Sequence, residues 1–149
     1  MPTAMTPRGQ DAAIRAARAR LGLADDVEAE VFVIHYLDPP GGESLLVVFG
    51  PADRALGVAL VAARTGELEG SAKLAGTGRA LPLDAAAARA VAGASSDAEL
   101  RLVWRPSRAS MSALLPLWEV RASDGGLVYV DQHGRTWTAA QIASPGPPG

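Results

Sequence analysis

Asp131 and His133 stand two residues apart. On an extended strand that spacing puts both side chains on one face, where they would supply two metal ligands or an acid/base pair. The surrounding residues argue for another role. Asp-Gln-His-Gly is turn chemistry: the aspartate can bond its own backbone two residues on, and Gly134 can take a positive φ. The stretch is therefore read as a turn. His35 lies among Val31, Val33 and Leu37, the setting of a hydrogen-bonded histidine in the core or at a sheet edge. With two histidines, no cysteine and no HExxH, the sequence builds neither a zincin nor a thiolate centre, and no metal or other cofactor is expected.

Other constellations are weaker still. Glu28 and Glu30 share a strand face, but beside Asp25 and Asp26 they read as a solvated edge that discourages strand pairing. No G-x-S-x-G elbow presents a serine, and Gly76-x-Gly78 lacks the third glycine of a dinucleotide loop. A catalytic role is not expected. A net charge of −2 gives no basic face for nucleic acid. No apolar run approaches eighteen residues and 1–10 has none of signal-peptide length, so no membrane association is expected and a cytoplasmic location is. The cations are arginine except for Lys73, Ala is abundant and Asn absent, the bias of a GC-rich coding sequence.

The second half is richer in groups suited to recognition. It holds all three tryptophans, Trp104, Trp118 and Trp137, together with Tyr129 and Arg101, Arg105, Arg108 and Arg121. Tryptophan and arginine are enriched at binding hot spots because they combine area with a directional polar handle. Trp104 and Trp118 are assigned to the core as its main bulk. The polar stretch 105–113, with Met111 among serines, is long for a hairpin connection and is the best candidate contact surface. The candidate binding residues are Arg105, Arg108, Met111, Trp137 and Tyr129.

The elements that would position these groups follow from period and punctuation. Thr6-Pro7, or Asp11, opens a helix to about Leu21, with Ile14, Ala17 and Leu21 on one face and Gly22 as the stop. Residues 27–37 alternate as a strand, with Val27, Ala29, Val31, Val33, His35 and Leu37 on one face. Asp38-Pro39-Pro40-Gly41-Gly42 reads as a turn, and further strands are expected at 44–49, 55–63 and 68–74. After a linker, Asp84 caps an Ala-rich helix ending at Gly93. Strands at 99–105, 114–122, 127–131 and 136–138 follow, with a hairpin turn at Ser123-Asp124-Gly125-Gly126.

Set side by side at an offset of 68 residues, the halves repeat the order helix, strand, strand, strand, turn, strand, and Gly66 meets Gly134. An internal duplication is favoured. The closing segments Leu117-Trp118-Glu119-Val120-Arg121, Asp124-Gly125-Gly126, Val128-Tyr129-Val130-Asp131 and Gly134 resemble the final hairpin of PepSY domains. The first half repeats that pattern more faintly in Gly57-Val58-Ala59-Leu60-Val61 and Ala63-Arg64-Thr65-Gly66-Glu67. The resemblance implies a non-catalytic module, similar to the inhibitory propeptide regions of secreted metallopeptidases, that binds or restrains a protein or peptide.

The expected fold class is α+β: two α-then-antiparallel-β-meander units, helices packed on antiparallel sheets, and the halves packed through their apolar sheet faces. The expected organisation is a flexible N-terminus at 1–9, a first unit at 10–75, a linker at 76–81, a second unit at 82–142 and a disordered tail at 143–149. The favoured function is a peptide- or protein-binding regulatory module. Two alternatives stand beside it: a small-ligand binder or minor enzyme with a pocket between the halves, using His35 or His133, and a structural subunit of a larger assembly, with a homo-oligomeric edge strand as its simplest contact.

Overall fold

A computed structural model of the chain describes residues 7–38, 40–51 and 53–143. Helix α1 (Pro7–Arg20) is followed by β1 (Ala29–Leu37), β2 (Pro40–Phe49), β3 (Gly57–Ala62) and β4 (Leu68–Lys73). Helix α2 (Ala85–Val91) is followed by β5 (Glu99–Trp104), β6 (Leu117–Arg121), β7 (Leu127–Val130), β8 (Thr136–Trp137) and a short closing helix α3 (Ala139–Ala143). The molecule is thus α+β. Of the flexible segments expected at 1–9 and 143–149, only 7–9 and 143 are described, and these are helical. The rest lie outside the described residues, as does Pro39 of the expected Pro/Gly turn. That turn is shorter than expected, because Pro40, Gly41 and Gly42 already belong to β2.

Both longer helices end as their glycines dictate. After α1 the N–H of Gly22 bonds Ala19 and that of Leu23 bonds Arg18; after α2 the N–H of Gly93 bonds Ala90 and that of Ala94 bonds Arg89. Paired closures of this kind need a left-handed residue just past the helix, and Gly22 and Gly93 supply it at φ 69° and 65°. At the other end of α2, the Asp84 carboxylate accepts the N–H of Ala87 at 2.8 Å.

The strands form one sheet in the order β4-β3-β2-β1-β5-β6-β7-β8. The pairings of β2 with β3, β3 with β4, β5 with β6, β6 with β7 and β7 with β8 are antiparallel. β1 and β5 run parallel, with Ile34 opposite Leu102 and Tyr36 opposite Trp104. The expectation of separate antiparallel sheets is corrected here. A parallel neighbour needs a long crossover, and the chain from β2 through α2 supplies one, which no local pattern in β1 or β5 announces.

The chain divides into two compact units, Met1–Val33 with Glu43–Ala80, and Ile34–Gly42 with Leu81–Gly149. In the first, Ala13 and Ala17 of α1, with Leu21 just past its end, pack on Leu45, Val47, Phe49, Ala59 and Val61. Arg18 lies 5.6 Å over the Phe49 ring and donates to the Val27 carbonyl at 3.0 Å. In the second, α2 packs against β6 and α3 against β7. Val103, Ala109, Leu117, Tyr129 and Ile142 form a core there, with Leu37, Leu127 and Trp137 packed against it. Both faces of β1 contribute to packing: Ile34 is fully buried on one, while on the other Val31 and Leu37 pack, partly buried, against the cores and Val33 is 41% exposed.

Candidate functional site

The cluster that organises the second unit is a row of side chains crossing four strands. Sheet register sets Arg101 of β5 opposite Glu119 of β6, Glu119 opposite Tyr129 of β7, and Tyr129 opposite Trp137 of β8. Glu119 is buried among these neighbours and takes an ion pair from Arg101 Nε at 2.7 Å and a hydrogen bond from the Tyr129 hydroxyl at 3.0 Å. Burial, reinforced by that hydrogen bond to a carboxylate, pushes the Tyr129 hydroxyl up to about 12. Tyr129, a candidate binding residue by sequence, is only 4% exposed and is part of the core.

Two residues after Tyr129, Asp131 is buried to 1% exposure. Its Oδ1 accepts the backbone N–H groups of His133 and Arg135 at 2.9 and 3.0 Å, and its Oδ2 accepts Arg135 Nε at 3.2 Å and the Trp137 indole N–H at 2.9 Å. Burial alone would raise this carboxyl. The donated bonds from Arg135, Trp137 and His133, with the Arg135 charge, outweigh it and hold the group below the usual carboxylate range. Asp131 and His133 are turn residues, with Gly134 at φ 82°, and among the described residues no group of three His, Asp or Glu side chains is placed to hold a metal. The same carboxylate sets up its neighbour. Arg135 lies 5.9 Å over the Trp137 ring with Nε turned to Asp131, which leaves its two Nη groups for an outside acceptor.

The stretch 105–116 packs beside this turn as an ordered structure. Ser107 and Ser110 bridge through reciprocal backbone hydrogen bonds of 3.2 Å, so Arg108 and Ala109 sit at the tip of a tight turn. Ala109 plugs into the core while Arg108 faces solvent. The Ser110 hydroxyl lies 2.6 Å from the Leu115 carbonyl and 2.9 Å from that of Ser112, and it accepts the Trp104 indole N–H at 3.3 Å. These bonds hold the loop in one shape.

Between loop and turn lies an open groove of about 210 Å3, lined by Arg108, Ala109, Ser110, Met111, Leu115, Gln132, His133 and Arg135. Met111 is 82% exposed and Leu115 40%. The chain matches no family model, no curated protein and no solved structure.

Of the residues singled out by sequence, Arg108 and Met111 line the groove and Trp137 stacks under its Arg135. Arg105 does not join them: its side chain is three-quarters covered and pairs with Asp38 at 3.5 Å. Sequence reasoning missed Arg135; it assigned His133 to a turn and gave it a pocket role only in the small-ligand alternative. The signal for Arg135 was its spacing, four after Asp131 and two before Trp137, which on a tight turn brings all three together. Trp118 is core as expected, donating its indole N–H to the Leu83 carbonyl at 2.7 Å. Glu28 and Glu30 are exposed and separate from the groove.

Proposed function

We propose that this chain is a non-catalytic protein- or peptide-binding module of PepSY type, made of two copies of an α-then-β unit, whose contact surface is the groove of the second copy. What carries the reading is the convergence of Arg108, Met111, His133 and Arg135 on one open surface whose backbone is fixed from below by Ser110 and Asp131. One arginine, Arg135, is held in place by Asp131 and Trp137 beside exposed apolar side chains and loses little freedom on binding, which favours recognition of another chain. The volume is below the roughly 300–1,000 Å3 of common small-molecule pockets, which favours a protein partner over a carrier role. In support of two copies, helix and four strands recur in order, and Gly66 and Gly134 hold φ of 74° and 82° in the turns between third and fourth strands.

The test is affinity capture from native lysate with wild type, with the Arg108→Ala/Met111→Ala double variant, and with Lys73→Ala in the first unit as control. A protein held by wild type and Lys73→Ala but lost from the double variant at unchanged Tm supports the reading. Equal retention by all three proteins removes the groove from recognition.

A further inference from the structure

We infer that the groove takes a carboxylate-bearing peptide, an acidic residue flanked by an apolar one, as its specific ligand; this rests on the binding-module reading above. The charge on the groove is one-sided. Its ionisable lining groups are Arg108, His133 and Arg135, and no carboxylate lines it. The nearby Asp131 is buried and engaged by four donors, so its oxygens are closed to a ligand; its charge is matched by Arg135, and Arg108 adds a guanidinium with no described ion pair.

Arg135 is built to receive an anion. Its Nε is fixed by Asp131 and its guanidinium lies over Trp137, so the remaining Nη fork is oriented before a ligand arrives. A planar fork with two parallel donors matches a carboxylate, and an arginine already held in place loses less entropy on pairing. Arg108 adds a second guanidinium from the opposite wall, at the tip of a turn whose other residue, Ala109, is anchored in the core. The apolar requirement comes from Met111 and Leu115, which leave the lip uncovered. A thioether side chain adapts to varied apolar partners. Nucleic acid fits this surface poorly, because the chain carries a net charge of −2 and the groove offers no aromatic face for base stacking.

The experiment is a 15N NMR titration of the full chain with acetyl-Glu-Leu-Asp-Leu-Glu amide, with its Gln-Leu-Asn-Leu-Gln isostere, and with inorganic phosphate. Saturable shifts of the Trp137 indole N–H and of the amides at 108–111 and 132–135 are expected, with the isostere binding at least about tenfold more weakly. Arg108→Ala, which removes no described internal bond, should weaken the acidic peptide by about tenfold. Arg135→Gln should do the same, and Tm checks that its fold survives. Equal binding of peptide and isostere, shifts confined to other surfaces, or phosphate binding more tightly than the peptide would each overturn the assignment. If the peptide fails while lysate capture still depends on Arg108 and Met111, this ligand class falls and the module reading stands. If the peptide binds while capture ignores those residues, the module reading falls instead.

Discussion

Asp131 is a carboxylate that the sequence marks as a turn residue and the fold turns into a keystone. Held below its unfolded value of about 3.9, it contributes stability that is present above that pH and is lost as pH falls through the lower folded value. Asp131→Asn keeps one acceptor but sets an N–H2 against donors on the other side. It should cost about 2 kcal/mol at pH 7, with the share due to the exposed Arg135 discounted for solvent screening. Urea midpoints of wild type and variant should draw together as pH falls below about 3.9 and through the lower folded value; a constant gap would show that the charge is not what matters. Tyr129 has the opposite sign. Its raised hydroxyl contributes stability below an unfolded value of about 10, lost as pH rises toward about 12. Tyr129→Phe should lower stability by about 1 kcal/mol at pH 7 and flatten the alkaline arm, as seen in denaturant midpoints from pH 8 to 12. Neither environment was legible in the residues alone, because burial of Glu119 and Asp131 is set by what packs over them.

Helix α3 is the element the sequence encoded but period analysis passed over. Thr138 Oγ1 accepts the N–H of Gln141 at 3.1 Å while Gln141 Oε1 accepts the N–H of Thr138 at 2.8 Å, a reciprocal capping box written as Thr-x-x-Gln. A single turn shows no 3.6-residue periodicity, so only its cap announces it. Its purpose is to seat Ile142, 3% exposed, in the core beside Tyr129. Thr138→Ala with Gln141→Ala should cost about 1 to 2 kcal/mol and raise amide hydrogen exchange at 139–143 and at β7. Unchanged protection of β7 would show that α3 is ornamental. By contrast α1, α2 and the hairpin strands were legible, since each rests on local signals: apolar spacing, an N-cap at Asp84, and glycines past the helix ends. Within the loop 105–116 only the residue types were legible. That Arg108 reaches the groove while Arg105 turns to Asp38 depends on the Ser107–Ser110 bridge.

Across the whole molecule, β1 gives Ala29–Val33 to one compact unit and Ile34–Leu37 to the other. With one strand contributing residues to both units, their unfolding is expected to coincide. Tryptophan emission, which reports only the second unit, and far-UV circular dichroism, which reports both, should therefore trace a single coincident urea transition; separated midpoints would show that the first unit survives alone. Trp118→Ala, which empties a site 7% exposed and orphans the Leu83 carbonyl, should shift that transition by roughly 3 to 5 kcal/mol. By itself the sequence determined the α+β class, most of the elements, the punctuation between them and the choice of Arg108 and Met111 as surface groups, because these depend on periods and turn residues that neighbours in the chain supply. Only the tertiary structure decided that β1 pairs in parallel with β5, that Tyr129 is core, and that Arg135 and Trp137 share one carboxylate beside the loop. Those outcomes depend on which distant segments meet, and the free energy of such meetings comes from burial and register that no short window of residues contains.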